Sequence, residues 1–531
     1  MRFDQRFCAR TAVIAGLLAA AVSVFGPSPV HAQTKPAQPP AGQPIVRMSI
    51  DDAVATALEQ NLDLQVQRIN PQIRDLDTAV FKANWTPNFT TNIDFVDQTQ
   101  PPSSLLSGNT SQLTNGRNAY NFGIQQFTPW YGGQYQVQFN NGRTTTNNQF
   151  TSFDPQLTSN ISATYTQPLL RNFKIDGTRQ QLLVSQKNYE ISQTQLQQSI
   201  AQTTRNVRNA FYDLLYAIGN LNVQRQSLEL SQQSLKDNRA RVEIGTMAPL
   251  DIVQAEAEVA TREEAVIVAE AAIERQQDFI RALIFGPKAP EMWNTRIEPT
   301  EQYTFTPTTV DFDGAVRNAL SQRTDLVAAR KNLESNDISI KYFNNQSLPD
   351  LNASLNYAPQ AIGGVGLIRG PSSGLTPGPI IGQVERSYWS TLGTVFGGDF
   401  PGWTFSIDLT YPIGQSTNEA NLARAKLQHS QQERQISSLE LTVATQVRDA
   451  ARTVQTNAKR VDATRASRVL AERRLEAEEK KYQAGMTQNF FVLQAQRDLN
   501  VARNNELLAL VEYAKSVVNY GAIQQVPLAG Q

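Results

Sequence analysis

Residues 51–64 read DDAVATALEQNLDL, and residues 313–326 read DGAVRNALSQRTDL. The opening of the chain recurs about midway along it, and the match runs on without a gap. Pro87, Phe89, Thr91, Ile93 and Phe95 align with Pro349, Leu351, Ala353, Leu355 and Tyr357. Self-similarity of this kind marks two interlocked copies of one unit, so the 531 residues are not the three or four globular domains that length alone suggests. Each copy then holds helical sequence of unusual length. Residues 415–484 contain neither Gly nor Pro, which allows one rod on the order of 100 Å at 1.5 Å per residue.

The N-terminus carries Arg2, Arg6 and Arg10, an apolar run from Thr11 to Phe25, and the small-residue pattern Val30-His31-Ala32. This predicts a signal peptide over residues 1–32, the apolar run being short for a bilayer anchor. Residues 33–47, rich in Pro, Gln and Ala, are expected to form a flexible tether. Repeat 1 then covers residues 48–309 and repeat 2 residues 310–531. Cys8 is the only cysteine and departs with the signal, so the mature chain has neither a disulfide nor a cysteine-linked lipid.

Basic and acidic residues number 48 each, and loss of the signal leaves 45 against 47. That balance gives no footprint for nucleic acid. His429, between Gln428 and Ser430, is the one histidine left and reads as a solvated helix residue. Without thiols and with one imidazole, a Ser-His triad or a His-rich metal site is disfavoured. No catalytic residue, cofactor or metal is expected.

After the first helical pattern, which Pro71 is expected to interrupt on its way to Ala83, the hydrophobic period switches from helical to alternating. Phe89, Thr91, Ile93 and Phe95 alternate with polar residues, as do Ile161, Ala163 and Tyr165. In the second copy Leu351, Ala353, Leu355 and Tyr357 do the same, and so do Phe405, Ile407, Leu409 and Tyr411. One face is apolar and the other is mostly Asn, Ser and Thr, the pattern of a membrane β-barrel wall or of a half-buried soluble sheet. Trp85, Trp130, Trp389 and Trp403 lie at strand ends or in adjoining loops, as interface aromatics do. Four to six strands cannot close a membrane barrel, which needs at least eight. Open edges cannot sit in hydrocarbon, so a membrane reading requires several copies sharing one barrel. The first copy has an additional hairpin pattern from Tyr120 to Phe139, with its turn near Trp130 to Gly133. The second has instead a Gly/Pro/Ser-rich stretch from Pro359 to Pro401.

In the long helix of the second copy, Ile436, Leu439, Val443, Val447, Ala450, Val454, Ala458 and Val461 form an apolar seam. Its period of about 3.57 residues barely supercoils, while Arg448, Arg452, Gln455 and Lys459 face away. Each long helix ends in a glycine turn. Ile244-Gly245-Thr246 precedes Pro249, and Ala484-Gly485-Met486 precedes Phe490. Glycine accepts the left-handed conformation that stops a helix, and a returning helix of about 35 residues completes a hairpin.

Helix, strand hairpin, very long helix, glycine turn and returning helix, twice over, resemble the TolC family of outer-membrane efflux proteins. The paired openings carry the resemblance, with the strand exits Thr166-Gln167-Pro168-Leu169 and Thr410-Tyr411-Pro412-Ile413 and the two glycine turns followed by Gln-Ala. It implies a mainly α fold: a homotrimeric α-helical barrel continuous with a shared, about 12-stranded transmembrane β-barrel. The β-barrel would stand in outer-membrane lipid and the helices in the periplasm. It also implies a passive duct that receives substrates from a periplasmic adaptor and an inner-membrane pump or secretion ATPase. The turns Ile244, Gly245, Thr246 and Ala484, Gly485, Met486 would meet the adaptor.

Entrance candidates follow from the same resemblance: Asp251 and Gln254 after the first turn, Phe490, Phe491 and Gln494 after the second. Where some family members carry a ring of carboxylates, this chain has Phe491 and Gln494. Asp251 is either an entrance charge or a helix N-terminal charge; Phe490 and Phe491 are either an apolar constriction or packing between helices. The competing architecture is a trimeric surface fibre with a coiled-coil stalk. It is disfavoured because strands interrupt the helices twice.

Overall fold

The computed structural model describes residues 44–525 apart from 104, 108–110, 246, 247, 287–292, 302–304, 373–376 and 415. The expected signal peptide and residues 33–43 of the expected tether lie outside the described residues. The tether's last residues are not free chain: β1 (Ile45–Met48) pairs in parallel with β6 (Arg296–Pro299).

The duplication is visible element by element. In the first repeat α1 (Ile50–Gln60) and α2 (Leu62–Ala83) lead into strands, then α3 (Gly177–Glu243) and α4 (Pro249–Ile284). In the second, α5 (Phe312–Gln322) and α6 (Thr324–Gln346) lead into strands, then α8 (Thr417–Gln483) and α9 (Asn489–Gln524). Helices α3 and α8 are both 67 residues long, and α4 and α9 are both 36. The rods therefore span about 100 Å and return for about half of that.

The break in the first helical segment is at Asn61, and not at Pro71 as the sequence suggested. Asn61 sits at ψ 123°, donates its backbone N–H to Ala57 and caps α2 by accepting from the Leu64 N–H. Arg323 makes the same bend between α5 and α6, while Pro71 is carried inside α2.

The largest core lies where the short helices meet the rods. Ala53, Val54 and Ala57 of α1 pack with Val207, Phe211 and Leu214 of α3 and with Ile280 and Ile284 of α4, and Ile297 of β6 closes it. The second copy repeats this with Ala315 and Ala319 of α5 against Val443 and Val447 of α8. The predicted seam is buried at Ile436, Val443, Val447, Val454 and Val461, with Ala451 beneath it where Ala450 was expected. His429 is partly covered and contacts Asp337, Nε2 to Oδ1 at 3.0 Å, so it is not simply solvated.

Apart from the β1–β6 pair, the described strands form one sheet whose main path runs β10, β7, β5, β4, β3, β2. Their ranges are β2 (Asn88–Gln100), β3 (Leu113–Phe127), β4 (Gln134–Thr146), β5 (Phe153–Pro168), β7 (Asp350–Tyr357) and β10 (Trp403–Thr410). Beyond Tyr357 the line of β7 is continued along β5 by β8 (Gln360–Arg369), and β9 (Ile380–Arg386) continues the line of β10. The family resemblance implies four strands per chain, and six lie side by side here because the Tyr120 to Phe139 hairpin is inserted as β3 and β4. The Gly/Pro-rich stretch is likewise ordered, into β8, β9 and the short helix α7 (Tyr388–Gly397). Trp389 accordingly lies on a helix.

Register keeps the two faces of the sheet distinct. Asn92, Asn121, Asn140 and Asn160 are neighbours across four strands, ending on Gln360. On the other face Phe89, Ile124, Val137, Ala163, Tyr357 and Trp403 are neighbours across six. Among the described residues no helix is long and apolar enough to cross a membrane.

Candidate functional site at the helical tips

Both rods stop by the same device. Gly245 (φ +76°) donates to the Val242 carbonyl and Gly485 (φ +71°) to the Tyr482 carbonyl, while Met486 reaches back to Lys481. These are the reciprocal bonds of a left-handed helix stop, in which a residue with a Cβ is strained. Pro249 then opens α4 at a position where its missing N–H costs nothing.

The tips are apolar and uncovered within the chain. Ile244 is 74% exposed and Met486 78%, and Leu250 and Val253 stand exposed beside them. Ala484 is exposed. Thr246 lies outside the described residues.

Of the entrance candidates, Phe490 and Phe491 are brought together, edge to face with ring centres 5.6 Å apart, and are 55% and 47% exposed. Packing between helices within the chain falls instead to their neighbours Val492 and Leu493. Gln494 donates to Asp498 Oδ1 at 2.9 Å, and Gln254 is exposed. Asp251 stands partly exposed in the first turn of α4, near enough to act electrostatically on the Tyr482 hydroxyl.

Just behind the tips, polar ties join the two hairpins, and the sequence did not reveal them. Tyr482 of α8 donates its hydroxyl to Asn238 Oδ1 of α3 at 3.0 Å, and the Arg241 guanidinium lies 4.5 Å above the Tyr482 ring. Burial pushes the Tyr482 hydroxyl above its ordinary pKa, against the pull of Arg241.

Further along, Glu258 of α4 receives Arg497 of α9 at 2.6 Å and Arg262 of its own helix at 2.7 Å. Burial works to raise the Glu258 carboxyl, but the Arg497 and Arg262 guanidiniums outweigh it and hold the group below its usual range. The seam continues as Asn500 to Gln224, Arg503 to Gln226 and Lys515 to Asp213. The Glu258 and Arg262 spacing of four was the one legible signal. The other partners sit more than two hundred residues apart.

The arrangement holds the two hairpins to each other through polar pairs between their helices.

The sequence profile described as outer membrane efflux protein matches residues 134–284 and 315–519, about two thirds of the chain. A search among curated protein sequences returned no match. Solved structures of the same fold include the outer membrane channel CmeC of Campylobacter jejuni, at 15% identity, covering 90% of this chain and 85% of that one with a TM-score of 0.59. The outer membrane protein VceC of Vibrio cholerae is 14% identical, covering 90% and 95% with a TM-score of 0.60. The MtrE outer membrane channel of Neisseria gonorrhoeae is 17% identical, covering 90% and 88% with a TM-score of 0.59.

Proposed function

Because the chain belongs to the outer membrane efflux protein family, we propose that it is the exit duct of a tripartite efflux or type I secretion assembly. It is an outer-membrane channel protein with a periplasmic helical tunnel, and a passive one that catalyses nothing. It works as a homotrimer. A periplasmic adaptor seats on the tips at Ile244, Gly245 and Thr246 and at Ala484, Gly485 and Met486, and an inner-membrane pump or secretion ATPase supplies the energy.

The observation that carries this reading is the pair of matching glycine tips, one per repeat, each bare and flanked by exposed apolar side chains. An apolar tip on an otherwise polar rod suits a partner's apolar surface. Asp251, Gln254, Phe490, Phe491 and Gln494 are assigned to the entrance behind it.

The test is complementation. A strain lacking the gene should accumulate a fluorescent dye, the intact protein should restore extrusion, and Ile244→Asp with Met486→Asp should assemble in the outer membrane yet fail to restore it. Full extrusion by that double variant would remove the tips from the docking role. Failure of the intact protein, with the whole set of partners present, would remove the efflux reading.

A further inference from the structure

The inserted hairpin β3–β4 changes the wall itself. We propose that this protein closes an eighteen-stranded β-barrel from three chains, a wall wider than four strands per chain would build. The proposal rests on the trimeric outer-membrane reading above.

Four observations support it. First, the inserted strands are 15 and 13 residues long, where about 9–11 residues suffice to cross a bilayer. They pair along their length with β2 on one side and β5 on the other. Second, they continue both faces of the sheet. Asn121 and Asn140 extend the polar row from Asn92 to Asn160, while Phe122, Ile124, Val137 and Phe139 extend the apolar face. A hairpin folded outside the wall has no reason to keep that alternation.

Third, the turn of the hairpin is built into the junction where strand becomes rod. Tyr131 stacks on Phe173 with ring centres 4.7 Å apart, and Gln167 donates to the Tyr131 carbonyl at 2.7 Å. Gly132 (φ +67°) comes so close to the junction that a Cβ there would stand 2.5 Å from the Asn172 carbonyl oxygen. At the same level Gln126 donates to the Trp85 carbonyl at 2.7 Å. The hairpin therefore starts and ends where its neighbours do.

Fourth, α7 covers part of the apolar face where that face is polar, although Asn118 and Arg143 share the face nearer the far end of the hairpin. Asn141 and Ser159 are polar exceptions on it, and α7 covers both. Ser159 and Tyr388 donate to Asn141 Oδ1 at 2.8 and 2.9 Å, leaving Asn141 5% and Ser159 2% exposed. Gly363 admits the helix, since a Cβ there would meet Thr391 Oγ1 at 1.9 Å. Outward, α7 presents Trp389 at 79% and Phe396 at 71% exposure. Covering these two polar residues with a helix that exposes aromatics suits a lipid-facing stretch of the wall.

The edges set the count. β2 and β10 end the sheet with unpaired backbone, which hydrocarbon does not tolerate, so each must pair with the next copy. A hairpin adds two strands and keeps β2 and β10 antiparallel, so insertion preserves closure. Diameter grows roughly linearly with strand number, making this wall about half again as wide as one of twelve. The limit on cargo size then lies at the helical tips.

A reconstruction of the full protein in lipid nanodiscs counts the strands directly. Eighteen in cross-section, with β3 and β4 between β2 and β5, is the expected result. A trimer walled by twelve strands would overturn the proposal and leave the duct standing. An assembly other than a trimer would overturn both.

Cys8 is the only cysteine and lies in the expected signal peptide, which permits a second readout. Asn121→Cys and Asn140→Cys should react with a charged, membrane-impermeant thiol reagent and lower single-channel conductance. Phe122→Cys and Val137→Cys, facing lipid, should react at least about tenfold more slowly, since an apolar setting suppresses the thiolate. Equal labelling of both faces would overturn the wall assignment.

Discussion

Arg497 Nη2 lies 2.6 Å from Glu258 Oε2, so the returning helix of the second repeat is held to that of the first by a carboxylate only 4% exposed. Removing the carboxylate leaves Arg262 and Arg497 facing each other without a counter-charge. Breaking a fully buried pair costs roughly 3–5 kcal/mol, and because Arg497 is half in solvent the expected loss for Glu258→Ala is about 2 kcal/mol. A lower unfolding midpoint together with a higher single-channel conductance would show that the tie both stabilises and closes. An unchanged pair of values would assign it neither role.

The same tie sets a pH dependence. The folded state holds the Glu258 carboxyl below its ordinary pKa. Its stabilisation is therefore complete above the unfolded carboxylate value of about 4.3 and is lost as pH falls through the lower folded value. Conductance recorded from neutral to acid pH should rise in that acid range, and Glu258→Gln should flatten the rise. A rise that persists unchanged in Glu258→Gln would point to other carboxylates.

Gly219 tests how closely the repeats approach. It sits inside α3, where a Cβ would come 2.7 Å from Leu507 Cδ2 of α9. Replacing a helical glycine with alanine ordinarily gains up to about 1 kcal/mol, but here overpacking of about 1–3 kcal/mol opposes it. Gly219→Ala should leave stability level or lower, and Gly219→Leu should weaken it clearly in a denaturant titration. A stabilised Gly219→Leu would mean that the seam yields freely.

Much of this was legible because repetition and period are local signals. The matched openings at 51–64 and 313–326, the glycine stops and the unbroken rod all needed only neighbours in sequence. The break at Asn61 was missed because Pro71 looked the stronger breaker, although an asparagine that caps the next helix carries its own signal. Helix α7 was hidden by its Gly- and Pro-rich surroundings, yet Ser387 at its start and Gly398 at its end are ordinary caps. The ties Asn238 to Tyr482 and Glu258 to Arg497 join residues 244 and 239 positions apart, and no period reports such a contact. The strand at the end of the lead-in was not legible for a similar reason, since β1 exists only through its partner β6.

Gly245 and Gly485 should matter for shape more than for space. Nothing lies within 4 Å of a Cβ built on either, so valine meets no clash there, only the left-handed backbone at roughly 1–2 kcal/mol. Gly245→Val with Gly485→Val should keep helix content by circular dichroism and lose dye extrusion, because the tip no longer turns in the required direction. Retained extrusion would show that the docking surface tolerates a different turn.

Phe490 and Phe491 carry the sharpest test at the entrance. Burial as core would make truncation to alanine cost roughly 3–5 kcal/mol, whereas side chains 55% and 47% exposed within the chain owe it little. In the proposed trimer they would face either the bore or the neighbouring copy, and the double variant separates these. An unfolding midpoint within about 0.5 kcal/mol of the parent, an intact trimer in detergent and a raised conductance would make them an apolar constriction that gates by dewetting. Dissociation of the trimer, with each chain still folded, would make them a contact between copies and return the gate to the polar ties behind the tips.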